Sequence, residues 1–271
     1  MNHPGQLFPT SQKLAGLRVA FVQLGIAVAL LLPCAASGSE NSEHVIVLHG
    51  MWRTSRSMKP MERTLAAAGY QVRNVSYPSR SAIISELSEA AIGRAVEECL
   101  TNGASSIHFV THSLGGILVR DYLSRHTITN LGRVVMLGPP NGGSELVEKL
   151  HWLSPLKKIV GPASVELGTD TNSPPFRLGA ATFPAGIIAG NRSLIWLTSL
   201  MIPGPDDGTV SVERTKLAGM SDHLVLPVTH NFIMLDRTTR KQTVCFLREG
   251  RFDHESKPMK KLPLRSPRGS N

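Results

Sequence analysis

The sequence predicts an α/β fold: a mostly parallel central sheet flanked by helices, with a small, partly helical cap insertion. Three observations predict it. From residue 44 onward, short apolar runs alternate with stretches of helical spacing, the pattern of strands joined by crossover helices. Runs such as Val45-Ile46-Val47-Leu48 are continuous rather than alternating, as in strands covered on both faces. The run Phe109-Val110-Thr111 passes through His112-Ser113 directly into an apolar helical pattern.

Each element has its own signal. Val45 to Leu48 is the first strand. Met58 to Ala68 is helical and stops at Gly69. Gln71 to Val75 is a second strand, ended by Tyr77-Pro78. Ile84, Leu87, Ala91, Val96 and Cys99 fall near helical spacing, and Gly103 lies just beyond. Ile107 to Thr111 is a strand, Leu114 to Leu123 a helix, and Arg133 to Leu137 a strand closed by Gly138-Pro139-Pro140. Residues 143–182 break the rhythm and read as the cap. They carry Leu146, Val147, Trp152, Leu153 and Leu156, then a Gly/Pro/Ser-rich stretch. The rhythm returns with strands at Ala185 to Ala189 and Leu224 to Val228, and a final helix runs from near Asn231 to about Leu247.

The ends differ from the body. Residues 1–37 place Lys13 and Arg18 before the apolar run Val19 to Leu32, followed by the small residues Ala35, Ala36 and Ser37. Positive flank, apolar run and small-residue stretch are the parts of a secretory signal peptide. The run is short for a membrane span, which needs ~20 residues. Export with cleavage after Ser37 is expected, the alternative being an uncleaved membrane anchor. Pro33 speaks against a lipid attachment at Cys34. The domain is expected at 38–250, and 251–271 as a basic, disordered tail. Formal net charge is +9. Two of those charges lie in 1–37 and five in 257–271, which leaves +2 for residues 38–256. A nucleic-acid binder carries its charge on a structured face, so no nucleic-acid partner is expected. The basic tail suits loose contact with an anionic membrane, at ~1 kcal/mol per charge. Cys99 and Cys245 lie far apart, in helical apolar contexts, and read as small buried hydrophobes rather than a disulfide.

Four segments carry chemistry. In Thr111-His112-Ser113-Leu114-Gly115-Gly116 the strand–turn–helix context is that of a nucleophile elbow, which lifts a serine hydroxyl above the sheet edge. The G-x-S-x-G pattern would put glycine where Thr111 stands, so the turn must borrow space from a small neighbour. The competing reading of Ser113 is a helix N-cap. Leu48-His49-Gly50-Met51-Trp52 closes the first strand. Asp206-Asp207-Gly208 is a tight turn in which an acid can accept an imidazole N–H; Asp207 is preferred, Asp206 the fallback, and a plain turn the bland reading. Thr229-His230-Asn231 places a histidine between the last strand and the last helix. His108 and His112 are four apart but not on a helix face, so they do not read as a metal pair, and neither metal nor cofactor is expected.

With Pro140-Asn141-Gly142-Gly143-Ser144, these motifs resemble the α/β-hydrolase superfamily, in its bacterial triacylglycerol-lipase-like and esterase branch, over about residues 44–250. The resemblance implies an eight-stranded-type core with early strands missing, since only about seven residues separate Ser37 from the first core strand. It implies a serine hydrolase of carboxylic esters working through an acyl-enzyme on Ser113, Asp207 and His230, in that chain order. His230 is then the base and His49 structural. The N–H groups of Met51, with Trp52 as neighbouring option, and of Leu114 form the oxyanion hole. Trp52, Trp152 and Phe176 are candidate substrate contacts that suit a small-molecule or lipid ester; the cap residues among them equally suit packing of the cap. The fold also hosts acyltransferases on the same triad. A non-catalytic membrane-surface protein is the remaining alternative, against which the full set of motifs speaks.

Overall fold

A computed structural model describes residues 42–151, 161–194 and 199–255. The proposed signal segment 1–37, Trp152 and the tail from residue 256 lie outside the described residues. Among the described residues no helix is long and apolar enough to cross a membrane.

Six strands form one wholly parallel sheet in the order β2-β1-β3-β4-β5-β6. They are β1 (Glu43–Leu48), β2 (Gln71–Val75), β3 (Ser106–His112), β4 (Leu131–Leu137), β5 (Ala185–Gly190) and β6 (Asp222–Leu226). Between them run α1 (Lys59–Ala67), α2 (Ile84–Ser88), α3 (Arg94–Thr101) and α4 (Leu114–Arg125). Helix α2 passes into α3 through a single π turn at Glu89–Gly93. The cap holds α5 (Glu145–His151), α6 (Pro162–Val165) and α7 (Pro174–Arg177); α8 (Val212–Thr215) precedes β6, and α9 (Arg237–Glu249) closes the domain.

Alternation along β1 explains the two helical layers. Ile46 and Leu48 face one cluster with Leu87, Ile92, Phe109 and Ile117. Val45 and Val47 face the other, with Met61, Leu65, Val110 and Phe246. Both faces are covered, so the strand is apolar from Val45 to Leu48. Parallel pairing also puts every strand's carboxyl end on one edge of the sheet. Leu48 is in register with Thr111, His112 with Leu137, and Gly190 with Leu226.

The buried Arg120 of α4 ties the cap to the body. Its guanidinium donates to the side chain of Asn141 at 3.1 Å and to the carbonyls of Pro175 and Gly179, each at 2.8 Å. Burial lowers its pKa to about 10, so it remains a cation at neutral pH.

Several expectations need correction. The final helix does not begin at Asn231. A 3-10 segment, His230–Leu235, intervenes, and α9 starts after Asp236, whose carboxylate accepts the Thr239 N–H at 2.8 Å. Strand β6 begins at Asp222 and ends at Leu226, short of Val228. The tail does not begin at residue 251. Phe252 is buried against Phe246, with ring centroids 4.9 Å apart, and its N–H donates to Asp222 at 2.7 Å. Cys99 is buried, but Cys245 is only half-buried, because its face of α9 meets the 251–255 turn rather than the core.

Candidate active site

Ser113 follows the last residue of β3 and precedes α4, with φ +52° and ψ −121°. That backbone region is costly for a non-glycine residue and is held here by its surroundings. The Ser113 N–H donates to the Leu137 carbonyl at 2.9 Å, which pins the turn to β4. Thr111 is fully buried where the elbow pattern prefers glycine, and the space comes from Gly116. A Cβ on Gly116 would lie 3.3 Å from the Thr111 hydroxyl and 3.2 Å from Pro139. The Ser113 side chain does not cap α4. Its hydroxyl instead meets His230 Nε2 at 3.0 Å.

His230 lies on the loop after β6. Its Nδ1–H donates to Asp207 Oδ2 at 2.7 Å, which fixes the tautomer that leaves Nε2 free to accept from Ser113. Asp207 sits in the turn after β5. Its second oxygen accepts the N–H groups of Thr209 and Val210 at 3.0 and 2.9 Å, and its carbonyl accepts the His230 N–H at 2.9 Å. Ser113, Asp207 and His230 are all buried. Asp206 points elsewhere: its carboxylate accepts from Ser199 Oγ at 3.0 Å and from the Gly208 N–H at 2.7 Å.

The loop after β1 borders the same site. Trp52 also has positive φ, at 62°, and its N–H donates to Ser79 Oγ at 3.2 Å. The Met51 N–H has no acceptor among the described residues. The Leu114 N–H opens α4, where a helix leaves its first amides without intrahelical partners. Of the two neighbouring options on this loop, Met51 is thus the one with a donor to spare.

His49 is engaged elsewhere. Its Nδ1–H donates to the Gly50 carbonyl at 2.8 Å, its Nε2 accepts the Tyr77 N–H at 3.3 Å, and its ring stacks on Tyr77 at 4.2 Å. Burial lowers its pKa, partly offset by those hydrogen bonds.

A cavity of about 300 Å³ opens beside Ser113. Pro140, Val147, Leu167 and Val210 give it an apolar side; Trp52 and Arg53 border it from the β1 loop. Trp52 is about half exposed, with the Arg80 guanidinium 4.5 Å over its ring. Phe176 does not line this cavity. It sits on α7 at a separate depression with Glu145 and Arg214, whose guanidinium lies 5.9 Å from its ring. The fixed spacing of α7 on the Arg120 bonds carries it there, which corrects its candidacy as a substrate contact beside Ser113. Among the described residues no group of three or more His, Cys, Asp or Glu side chains is arranged to hold a metal ion.

Three residues of the site escaped the sequence reading. His112 Nε2–H donates to the His230 carbonyl at 3.0 Å, holding the loop that carries His230. Burial, and secondly the neighbouring His230, push the His112 pKa well down, so it stays neutral. Gly138 has φ +55°, and a Cβ there would lie 3.0 Å from Asp207 Oδ2 and 3.2 Å from His230 Nδ1. Its place at the end of an apolar run was a signal for a close approach. Arg53 left no motif at all.

A buried acid–imidazole–hydroxyl chain at the carboxyl edge of a parallel sheet, with the serine on a strand-to-helix turn, defines a class of α/β protein. The model of the Alpha/beta hydrolase family matches residues 45–240, and the chain belongs to that family. No curated protein matches it significantly. Among solved structures it is similar to the mature Bacillus licheniformis lipase BlEst2, at 19% identity and TM-score 0.57, over 72% of this chain and 87% of that one. The metagenomic carboxyl esterase MGS0156 is similar at 17% identity and TM-score 0.57, over 72% and 66%. Aspergillus fumigatus lipase B is similar at 14% identity and TM-score 0.57, over 76% and 52%.

Proposed function

We propose that this protein is a serine hydrolase that cleaves carboxylic esters through an acyl-enzyme. The observation that carries the reading is the chain of hydrogen bonds from Asp207 through His230 to the Ser113 hydroxyl, opening on an apolar cavity. His230 Nε2 takes the hydroxyl proton as Ser113 Oγ attacks the ester carbonyl. The negative charge that develops on the carbonyl oxygen is met by the N–H groups of Met51 and Leu114, each such donor typically supplying ~10²–10³ in turnover. The C–O bond to the alcohol breaks, and His230 returns its proton to the departing oxygen. Water then attacks the acyl-enzyme, giving its proton to His230, and the acid leaves with Ser113 restored. Asp207 remains ionised throughout and steadies the imidazolium.

A cavity of about 300 Å³ lies at the small end of the range of ligand sites, ~300–1,000 Å³. It suits a short or medium acyl chain lying along Pro140, Val147 and Leu167. The test is hydrolysis of esters of increasing acyl length by the intact protein, with Ser113→Ala as control. The reading expects turnover that peaks at short to medium chains and falls by orders of magnitude in the variant. Equal rates in both proteins would refute it. The reading extends to location: export, with the mature chain starting near Gly38. N-terminal sequencing of the exported protein checks this, and a chain still beginning at Met1 would contradict cleavage.

A further inference from the structure

We propose that Arg53 selects esters whose alcohol portion carries an anionic oxygen group, a carboxylate or a phosphate. This rests on the serine-hydrolase reading above and adds a substrate class to it. Among the described residues lining the cavity, Arg53 and His230 are the only titratable side chains. The rest are apolar or neutral. No acid faces Arg53 in the cavity, and no carboxylate forms an ion pair with it among the described residues. Its hydrogen bond is to a neutral group: one terminal nitrogen donates to Asn231 Oδ1 at 2.7 Å. A guanidinium has five N–H donors in a planar fork, so that bond aims the group and leaves donors for a ligand. The Asn231 side chain cannot neutralise it.

The position of Arg53 assigns the charge to the leaving group. Asn231 follows His230 in the chain, and both line the cavity. His230 Nε2 must reach the oxygen of the departing alcohol to protonate it. Arg53, anchored on the next residue, therefore flanks the alcohol side of the scissile bond. The acyl chain takes the opposite, apolar side. Arg80, over the ring of Trp52 and likewise without a carboxylate partner among the described residues, adds a second cation near the mouth. A charge-assisted bond in a partly desolvated site favours an anionic ligand by tenfold or more.

The experiment compares three esters of one acyl chain with the full-length protein: phenyl butyrate, 4-carboxyphenyl butyrate and 4-(phosphonooxy)phenyl butyrate. For each protein the readout is kcat/KM on an anionic ester divided by kcat/KM on the neutral one. This quotient cancels any general effect of a substitution on His230. The expected result is a quotient that falls at least tenfold in Arg53→Gln and is largely kept in Arg53→Lys. Raised salt should also lower it in the wild type. The two anionic esters separate carboxylate from phosphate as the preferred group. A quotient that is the same in wild type and Arg53→Gln, for both anions, overturns the assignment while leaving the hydrolase reading intact. A folded wild type that turns over none of the three overturns both.

Discussion

Asp207 presents one carboxylate oxygen to His230 and the other to the N–H groups of Thr209 and Val210, whereas Asp206 accepts from Ser199 and Gly208. Two adjacent acids thus have separable tasks: one orients an imidazole, the other ties down a turn. Asp207→Asn keeps the shape but loses the anion beside the imidazole, and should cost ~10⁴ in turnover. Asp206→Asn keeps an acceptor oxygen for Gly208 and should cost far less. Ester turnover of the two folded variants decides it; the reverse ranking would move the orienting role to Asp206. The Asp-Gly turn was legible in the sequence, because that dipeptide marks tight turns. The direction in which each carboxylate points was not, since it depends on partners outside the turn, His230 for Asp207 and Ser199 for Asp206. Arg53 was illegible for a related reason. Its surroundings come from Asn231, far along the chain, and no local pattern announces a cation facing an apolar cavity.

At the scale of elements, the end of α9 shows where local pattern stops informing. Gly250 has φ +74° and ends the helix as a C-terminal glycine should. From composition the following residues look like a tail. Yet Gln242 and Asp253 exchange two hydrogen bonds, at 2.7 and 2.9 Å, and Asp222 accepts from the Phe252 N–H and from His254. These partners come from α9 itself and from β6, so only the folded chain reveals them. Phe252→Ala removes a buried ring that packs on Phe246 and should destabilise the domain by ~3–5 kcal/mol. Urea unfolding measures this; a change below ~1 kcal/mol would mean that 251–255 is not part of the core. The central strands were the most legible elements, because β1 and β4 are covered on both faces and carry the unbroken apolar runs Val45 to Leu48 and Val134 to Leu137. Edge strand β6, half exposed along most of its length, was misplaced at both ends because its apolar run, Leu224 to Val228, starts inside the strand and continues past its end at Leu226.

The molecule as a whole buries uncharged histidines, which has a consequence for acid stability. His49, His108 and His112 are buried, and burial is the first cause of a lowered pKa in each. Unfolded, each would titrate near 6.5. Below that pH the unfolded chain takes up protons that the folded one refuses, so stability falls as pH drops. Above it both states are neutral and the effect vanishes. Melting temperatures should therefore decline between about pH 7 and pH 5.5, before most carboxylates titrate; a flat profile over that window would contradict neutral burial of these rings. The same sheet edge that buries His49 and His112 brings Ser113, from the middle of the chain, against His230, near its end. In the proposed mechanism this contact activates one serine for attack. Intact-mass analysis after treatment with a fluorophosphonate tests it most directly. A single adduct is expected, mapped to Ser113 and absent from folded Ser113→Ala. An unlabelled wild type, or equal labelling of the variant, would contradict it.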